Sequence, residues 1–151
     1  MKSDFAMLVF SILSLVLCAA MEDMLPKIMG LGIPLLLSVA LVFSDRALAS
    51  WSQSIFCAIA AGSMEDAISA LPVATSASFF AIAVFSRRKF HIPFQFCAAV
   101  YPLYFCWLWM WGLVGGGENL LRALVSAPIG ILTFFVLRHL VGFFAQRAGL
   151  K

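Results

Sequence analysis

The sequence predicts an all-α membrane protein, a compact bundle of six transmembrane helices forming a single domain over residues 1–151. Three observations carry this. Hydrophobic residues make up 64% of the chain and charged residues 11%, against about half and about a quarter in ordinary globular chains. The mean hydropathy is +1.05, so too few polar residues remain to cover a water-facing surface. The remaining charges fall in short clusters between apolar runs, and each run approaches the about 20 residues that a helix needs to cross a bilayer.

The runs are read in order as spans at residues 5–21, 28–44, 48–64, 67–85, 94–114 and 120–144. Glu22, Asp23, Pro26 and Lys27 separate the first two, and Asp45 and Arg46 turn the chain before the third. Glu65 and Asp66 interrupt spans three and four. Arg87-Arg88-Lys89 and Pro93 divide four from five, and Gly115-Gly116-Gly117 with Glu118 divide the last pair. Cys18-Ala19-Ala20 loosely resembles a signal-peptide cleavage site, but Lys2 and Asp4 cancel in the segment before it, so an uncleaved helix is expected. Span three carries Ser50, Ser52, Gln53 and Ser54, which leaves a re-entrant pair of half-helices as the alternative for spans three and four.

Basic residues set the orientation. With a cytoplasmic N-terminus, Lys2, Arg46, Arg87, Arg88, Lys89, Arg147 and Lys151 lie inside, and only Lys27 and Arg122 lie outside. Arg87, Arg88 and Lys89 then form a cytoplasmic basic anchor. Arg138, late in the last span, can snorkel to the inner interface. Glu22, Asp23, Glu65, Asp66 and Glu118 all fall on the outer side. Both termini are expected in the cytoplasm.

The same features exclude several classes of function. The net charge of +3 comes from residues scattered between apolar runs, with no basic, aromatic-interleaved stripe, so nucleic-acid binding is not expected. The four cysteines (Cys18, Cys57, Cys97 and Cys106) sit singly in apolar runs and read as small hydrophobes. His91 and His139 are far apart and lack companion ligands, so neither metal nor cofactor is expected. Trp107, Trp109 and Trp111 read as interfacial anchors, with a stacking site for a ligand or lipid as the lesser reading. Small residues at Ser11, Ser14, Cys18 and Ala19, and at Ala58, Ala61 and Gly62, suit close helix packing. No nucleophile elbow, zinc-protease motif or phosphate loop occurs, so the chain is not expected to be an enzyme. The adjacent pair Glu65-Asp66 is the one remaining candidate for chemistry, and its members point apart on a helix.

That pair lies in the segment Gly62-Ser63-Met64-Glu65-Asp66-Ala67-Ile68-Ser69-Ala70-Leu71-Pro72. Its spacing resembles the G-x3-D-x2-S-G-x-P-L-G segment of the rod shape-determining protein MreD family. Pro34 followed by Leu35-Leu36-Leu37 resembles the start of that family's second span. Residues 122–147, with Ala127-Pro128 early and Arg138 late, are similar to its closing helix. Two departures stand out: Ala70 and Ala74 occupy positions where the family has glycine. The resemblance implies a non-catalytic scaffold subunit of the bacterial cell-elongation machinery in the inner membrane. It also implies a fold like the small substrate-binding components of energy-coupling-factor transporters. The implied partners are a bitopic MreC-like protein and, through it, a penicillin-binding protein and a polymerising glycosyltransferase of peptidoglycan synthesis. The implied family residues are Gly62, Glu65, Asp66, Ser69 and Pro72, with Pro128 and Arg138 on the interface of the last helix. Membrane lipid is a further expected partner, and a second copy of the chain stays open. The alternative function is a small-molecule-binding component of a vitamin-type transporter.

From the sequence, Asp66 is expected to accept backbone N–H groups at the start of the following helix, with Ser63 or Ser69 as helpers, rather than to move protons.

Overall fold

The computed structural model describes residues 2–24, 34–45, 48–113 and 116–147, with the side chains of 2–4, 94–96, 116–120 and 122–123 outside that description. Expectations placed on Pro26, Lys27, Arg46, Gly115 and Lys151, and on the side chains of Lys2, Asp4, Glu118 and Arg122, therefore lie outside the described residues.

Every described element is helical. The order is α1 (Lys2–Met24), α2 (Leu35–Phe43), α3 (Trp51–Ile68), α4 (Thr75–Phe90), a 3-10 turn at Phe94–Ala99, α5 (Val100–Met110) and α6 (Gly116–Arg147). Two helical stretches, Phe5–Met24 in α1 and Leu124–Arg147 in α6, are long and apolar enough to cross a membrane. Both keep most of that length outward. Phe5, Leu13, Val16 and Leu17 of α1, and Leu124, Leu132, Phe135 and Val136 of α6, are exposed. A core helix of a water-soluble protein would bury such residues.

α4 and α5, with 16 and 11 residues, are shorter than the spans the sequence suggests. α2 has 9 residues, so it is about 14 Å long against about 30 Å of hydrocarbon. Pro34 marks its start, and the rest of the expected span before Pro34, residues 28–33, lies outside the described residues. Its sequence, LLLSVALVF, is apolar all round, and a helix of that kind belongs in a core. Every residue of α2 is buried, between α1, α3, α4 and α6. Ser38, its one polar residue, bonds to Tyr101 Oη at 2.6 Å and donates to Gly130 O at 3.0 Å. Gly130 is required there, because a Cβ would enter the Tyr101 ring.

α3 and α4 pack against one another from end to end as an antiparallel hairpin. Arg88 meets Ser54 at one end, and Asp66 meets Ser76 at the other. Between them the Gly62 backbone packs onto Ala77 so closely that a Cβ would collide with main-chain atoms. α3 starts with a capping box: Gln53 N donates to Ser50 Oγ at 3.3 Å, and Ser50 N donates to Gln53 Oε1 at 3.0 Å. The serine-rich stretch that weakens span three by hydropathy is therefore a helix start. The expected break at Glu65-Asp66 is corrected. Both residues are helical, and the turn follows over residues 69–74. The helix can run through them because their carboxylates find partners inside the protein and have no need of water.

Candidate functional site

The ends of α1 and α3 meet in a buried acidic junction. Glu22, in the last turn of α1, is 0% exposed, Glu65 is 1% and Asp66 is 5%. The expectation that Glu22 lies in the connection between the first two spans is corrected, since it is helical and inside the bundle. Its Oε2 accepts from Leu35 N at 3.0 Å and from Leu36 N at 3.3 Å. These are the first residues of α2, where backbone donors have no partner within the helix. Pro34, which precedes them, offers no capping side chain, so a carboxylate from another helix takes that place. The positive end of the helix dipole favours its charge.

Asp66 does the same for α4. Its Oδ1 accepts from Ser76 N at 2.7 Å. Ala74, the residue at the cap position of α4, has no side-chain cap bond. The sequence places Asp66 at a helix start, and its carboxylate indeed accepts there, reaching back from the end of α3. Of the two expected helpers, Ser69 donates to Glu65 Oε1 at 3.1 Å, and Ser63 is exposed. Ser76 Oγ bonds to Tyr104 Oη at 2.7 Å, and Trp107 Nε1 donates to Thr75 O at 3.0 Å. α5 is thereby fastened to the start of α4.

Glu22 and Glu65 also lie close enough for their carboxyls to interact. Sequence reasoning missed this contact. The available signal was the repeated tripeptide: Met21-Glu22-Asp23 ends α1, and Met64-Glu65-Asp66 lies near the end of α3.

The loop after Asp66 strains both of the alanines that stand where the resembled family has glycine. Ala70 has φ +51° and Ala74 has φ +69°, both in the left-handed region that favours glycine. α3 ends in a Schellman turn: Leu71 N donates to Asp66 O at 2.9 Å, and Ala70 occupies the left-handed position. Pro72 and Val73 stand outward, Val73 at 96% exposure.

The opposite end of the bundle is basic. Arg87 donates through Nη1 to Leu41 O and Ser44 Oγ at the end of α2. Arg88 donates to Ala49 O at 3.1 Å, to Ser50 O at 2.8 Å and to Ser54 Oγ, with its guanidinium 5.2 Å from the Trp51 ring centroid. Two members of the expected basic anchor thus bind the chain's own backbone, while Lys89 is exposed and lies over Phe85 and Phe90. Arg138 of α6 is half-buried. It and Arg87 both lie within electrostatic reach of Cys97. Pro128 lies inside α6 and is exposed.

The remaining candidates stay apart. His91 ends α4 with φ +53°, and His139 is exposed on α6. Among the described residues no three His, Cys, Asp or Glu side chains come together as a metal site. Cys18, Cys57 and Cys97 are buried as free thiols, and Cys106 is exposed. Trp107 is tied to α4 and packs on Phe79, whereas Trp109 and Trp111 are exposed. Ser11, Ser14 and Cys18 face inward, as do Ala58, Ala61 and Gly62.

No known family model matches the chain, and no curated protein or solved structure is significantly similar to it.

Proposed function

We propose that the chain is a non-catalytic scaffold of the MreD type in the bacterial cell-elongation machinery. It crosses the inner membrane six times with both termini cytoplasmic, and it holds the transmembrane helix of a bitopic MreC-like partner. The observation that carries the reading is the backbone of the loop that follows Asp66. Ala70 and Ala74 adopt left-handed angles at the two places where the resembled family has glycine, a residue that adopts such angles without steric cost. The motif spacing therefore coincides with a conformational requirement as well as with a string of letters. Gly62, packed on Ala77, and Asp66, bonded to Ser76 N, hold the same loop. This packing contact and this hydrogen bond frame a turn that presents Pro72 and Val73 outward. A vitamin-type transport component of the same implied fold is the competing reading.

Affinity capture of the full chain from native bacterial membranes tests this. A bitopic coiled-coil protein of the elongation machinery should co-purify, and an Asp66→Leu variant should lose it. Capture of a bound vitamin or of transporter ATPase subunits, with no such partner, would replace the scaffold reading with the transport one.

A further inference from the structure

The last turns of α6 carry a mixed surface that the scaffold reading does not use. Phe135, Arg138, His139, Gly142, Phe143 and Gln146 line a groove of about 460 Å³ there, within the about 300–1,000 Å³ of small-ligand clefts. They recur every three or four residues, so they share one face of the helix. Gly142 has only backbone atoms, and a Cβ added to it would meet nothing within 4 Å. At that point the floor of the groove is the main chain.

The polar chemistry of the lining is one-sided. Arg138 carries a guanidinium fork, His139 a ring N–H and Gln146 an amide NH2, and among the described residues no carboxylate lines the groove. The Arg147 guanidinium stands 4.5 Å from the ring centroid of Phe143, which brings a second cation to the groove wall. Arg138 and Arg87 approach Cys97 from α6 and α4, with Asp45 the acid beside them, so the groove belongs to the basic end of the bundle.

The rest of this surface is apolar. Leu132, Phe135, Val136, Phe143 and Phe144 are exposed on a stretch long and apolar enough to cross a bilayer. Donors and hydrocarbon in one groove fit an amphiphile with an anionic head. A free anion would leave Phe135 and Phe143 uncovered, and a zwitterionic lipid would bring a cation to a groove that already holds one. A guanidinium fork matches two phosphate oxygens at once, and basic pockets at the cytoplasmic face of a membrane take anionic lipid headgroups.

We propose that this groove binds an anionic phospholipid, its phosphodiester held by Arg138, His139 and Gln146 and an acyl chain lying along Phe135. The lipid ties the end of α6 to the leaflet at the basic end of the bundle. Such a site requires only that α6 lie in a bilayer. It is independent of the scaffold reading, which partner capture tests separately.

The test is native mass spectrometry of the delipidated full chain in detergent, titrated with phosphatidylglycerol, phosphatidylcholine or inorganic phosphate. The wild type should hold phosphatidylglycerol about fivefold or more tighter than phosphatidylcholine, since one basic residue near an anionic lipid is worth about that factor. Arg138→Gln should remove most of this preference. Gly142→Leu fills the groove and Gln146→Glu puts a carboxylate against the phosphate. Both spare the half-buried arginine, and each should weaken phosphatidylglycerol by a similar factor. Lys89→Gln removes an exposed cation outside the groove and should bind as the wild type does. Equal affinity for the two lipids, wild-type affinity for phosphatidylglycerol in both groove variants, an equal loss in Lys89→Gln, or tighter binding of inorganic phosphate than of the lipid would overturn the proposal.

Discussion

The same three residues end or nearly end two helices, and the bundle uses them differently. In Met21-Glu22-Asp23 the glutamate turns inward and takes two amides of α2, while the aspartate is exposed. In Met64-Glu65-Asp66 the aspartate takes the amide of α4, and the glutamate turns to Glu22 and Ser69. Adjacent helical residues point about 100° apart, so only one of each pair can reach the following helix. The connection decides which. α4 returns after a six-residue turn, from Ser69 to Ala74, and comes within reach of the short aspartate. A tripeptide alone therefore does not specify a role, which depends on where the next helix start is delivered.

Substitutions at the two caps break this comparison most directly. Glu22→Leu orphans two buried amides and Asp66→Leu orphans one, each such group costing about 1–3 kcal/mol. Glu22→Leu should therefore be the more damaging, lowering thermal stability and membrane abundance further than Asp66→Leu. Asp66→Asn keeps an acceptor oxygen and should retain most of both. If Asn and Leu at position 66 fail equally in the partner capture while abundance stays normal, the negative charge itself is the function and capping is not.

Gly62 separates close packing from sequence pattern. Gly62→Ala should force α3 from α4 and cost about 1–3 kcal/mol. Gly142→Ala, where nothing stands within 4 Å of the added methyl, should stabilise by about 0.5–1 kcal/mol through helix propensity. Thermal unfolding of the two variants in the same detergent checks both, and equal shifts would mean that α3 and α4 are not in contact at Gly62.

The smallest expected effect sharpens the turn after Asp66. Left-handed angles cost a non-glycine residue about 1–2 kcal/mol, partly offset by the backbone entropy of glycine. Ala70→Gly and Ala74→Gly should each stabilise the protein by about 0.5–1 kcal/mol. Thermal unfolding is again the readout, and destabilisation by both would show that the turn has another conformation.

The two ends of α2 show the same division of labour between sequence and fold. Carboxylate oxygen meets its amide end and guanidinium meets its carbonyl end, as the helix dipole favours. The segregation of acid and base along the chain was readable as a topological signal. That these charges are spent on helix termini inside the protein was not, because each partner lies ten or more residues away. The boundaries of α3 were missed for a related reason. Hydropathy marks Ser50–Ser54 and Glu65-Asp66 as breaks, whereas the capping box and the buried acceptors make them a helix start and a last helical turn.

Composition by itself determined the helical class of the described chain, the outward apolar faces of α1 and α6, and the place of Asp66 beside a helix start. These follow from local properties: hydropathy, periodicity and the spacing of a carboxylate from a proline turn. Only the tertiary structure decided that Glu22 leaves the connection for the core, that Glu65 faces Glu22, and that Arg87 and Arg88 close the bundle from the other end. In each case the partner is brought by a different helix. A buried polar group must bond with whatever the packing places beside it, since neither lipid nor core offers another donor or acceptor.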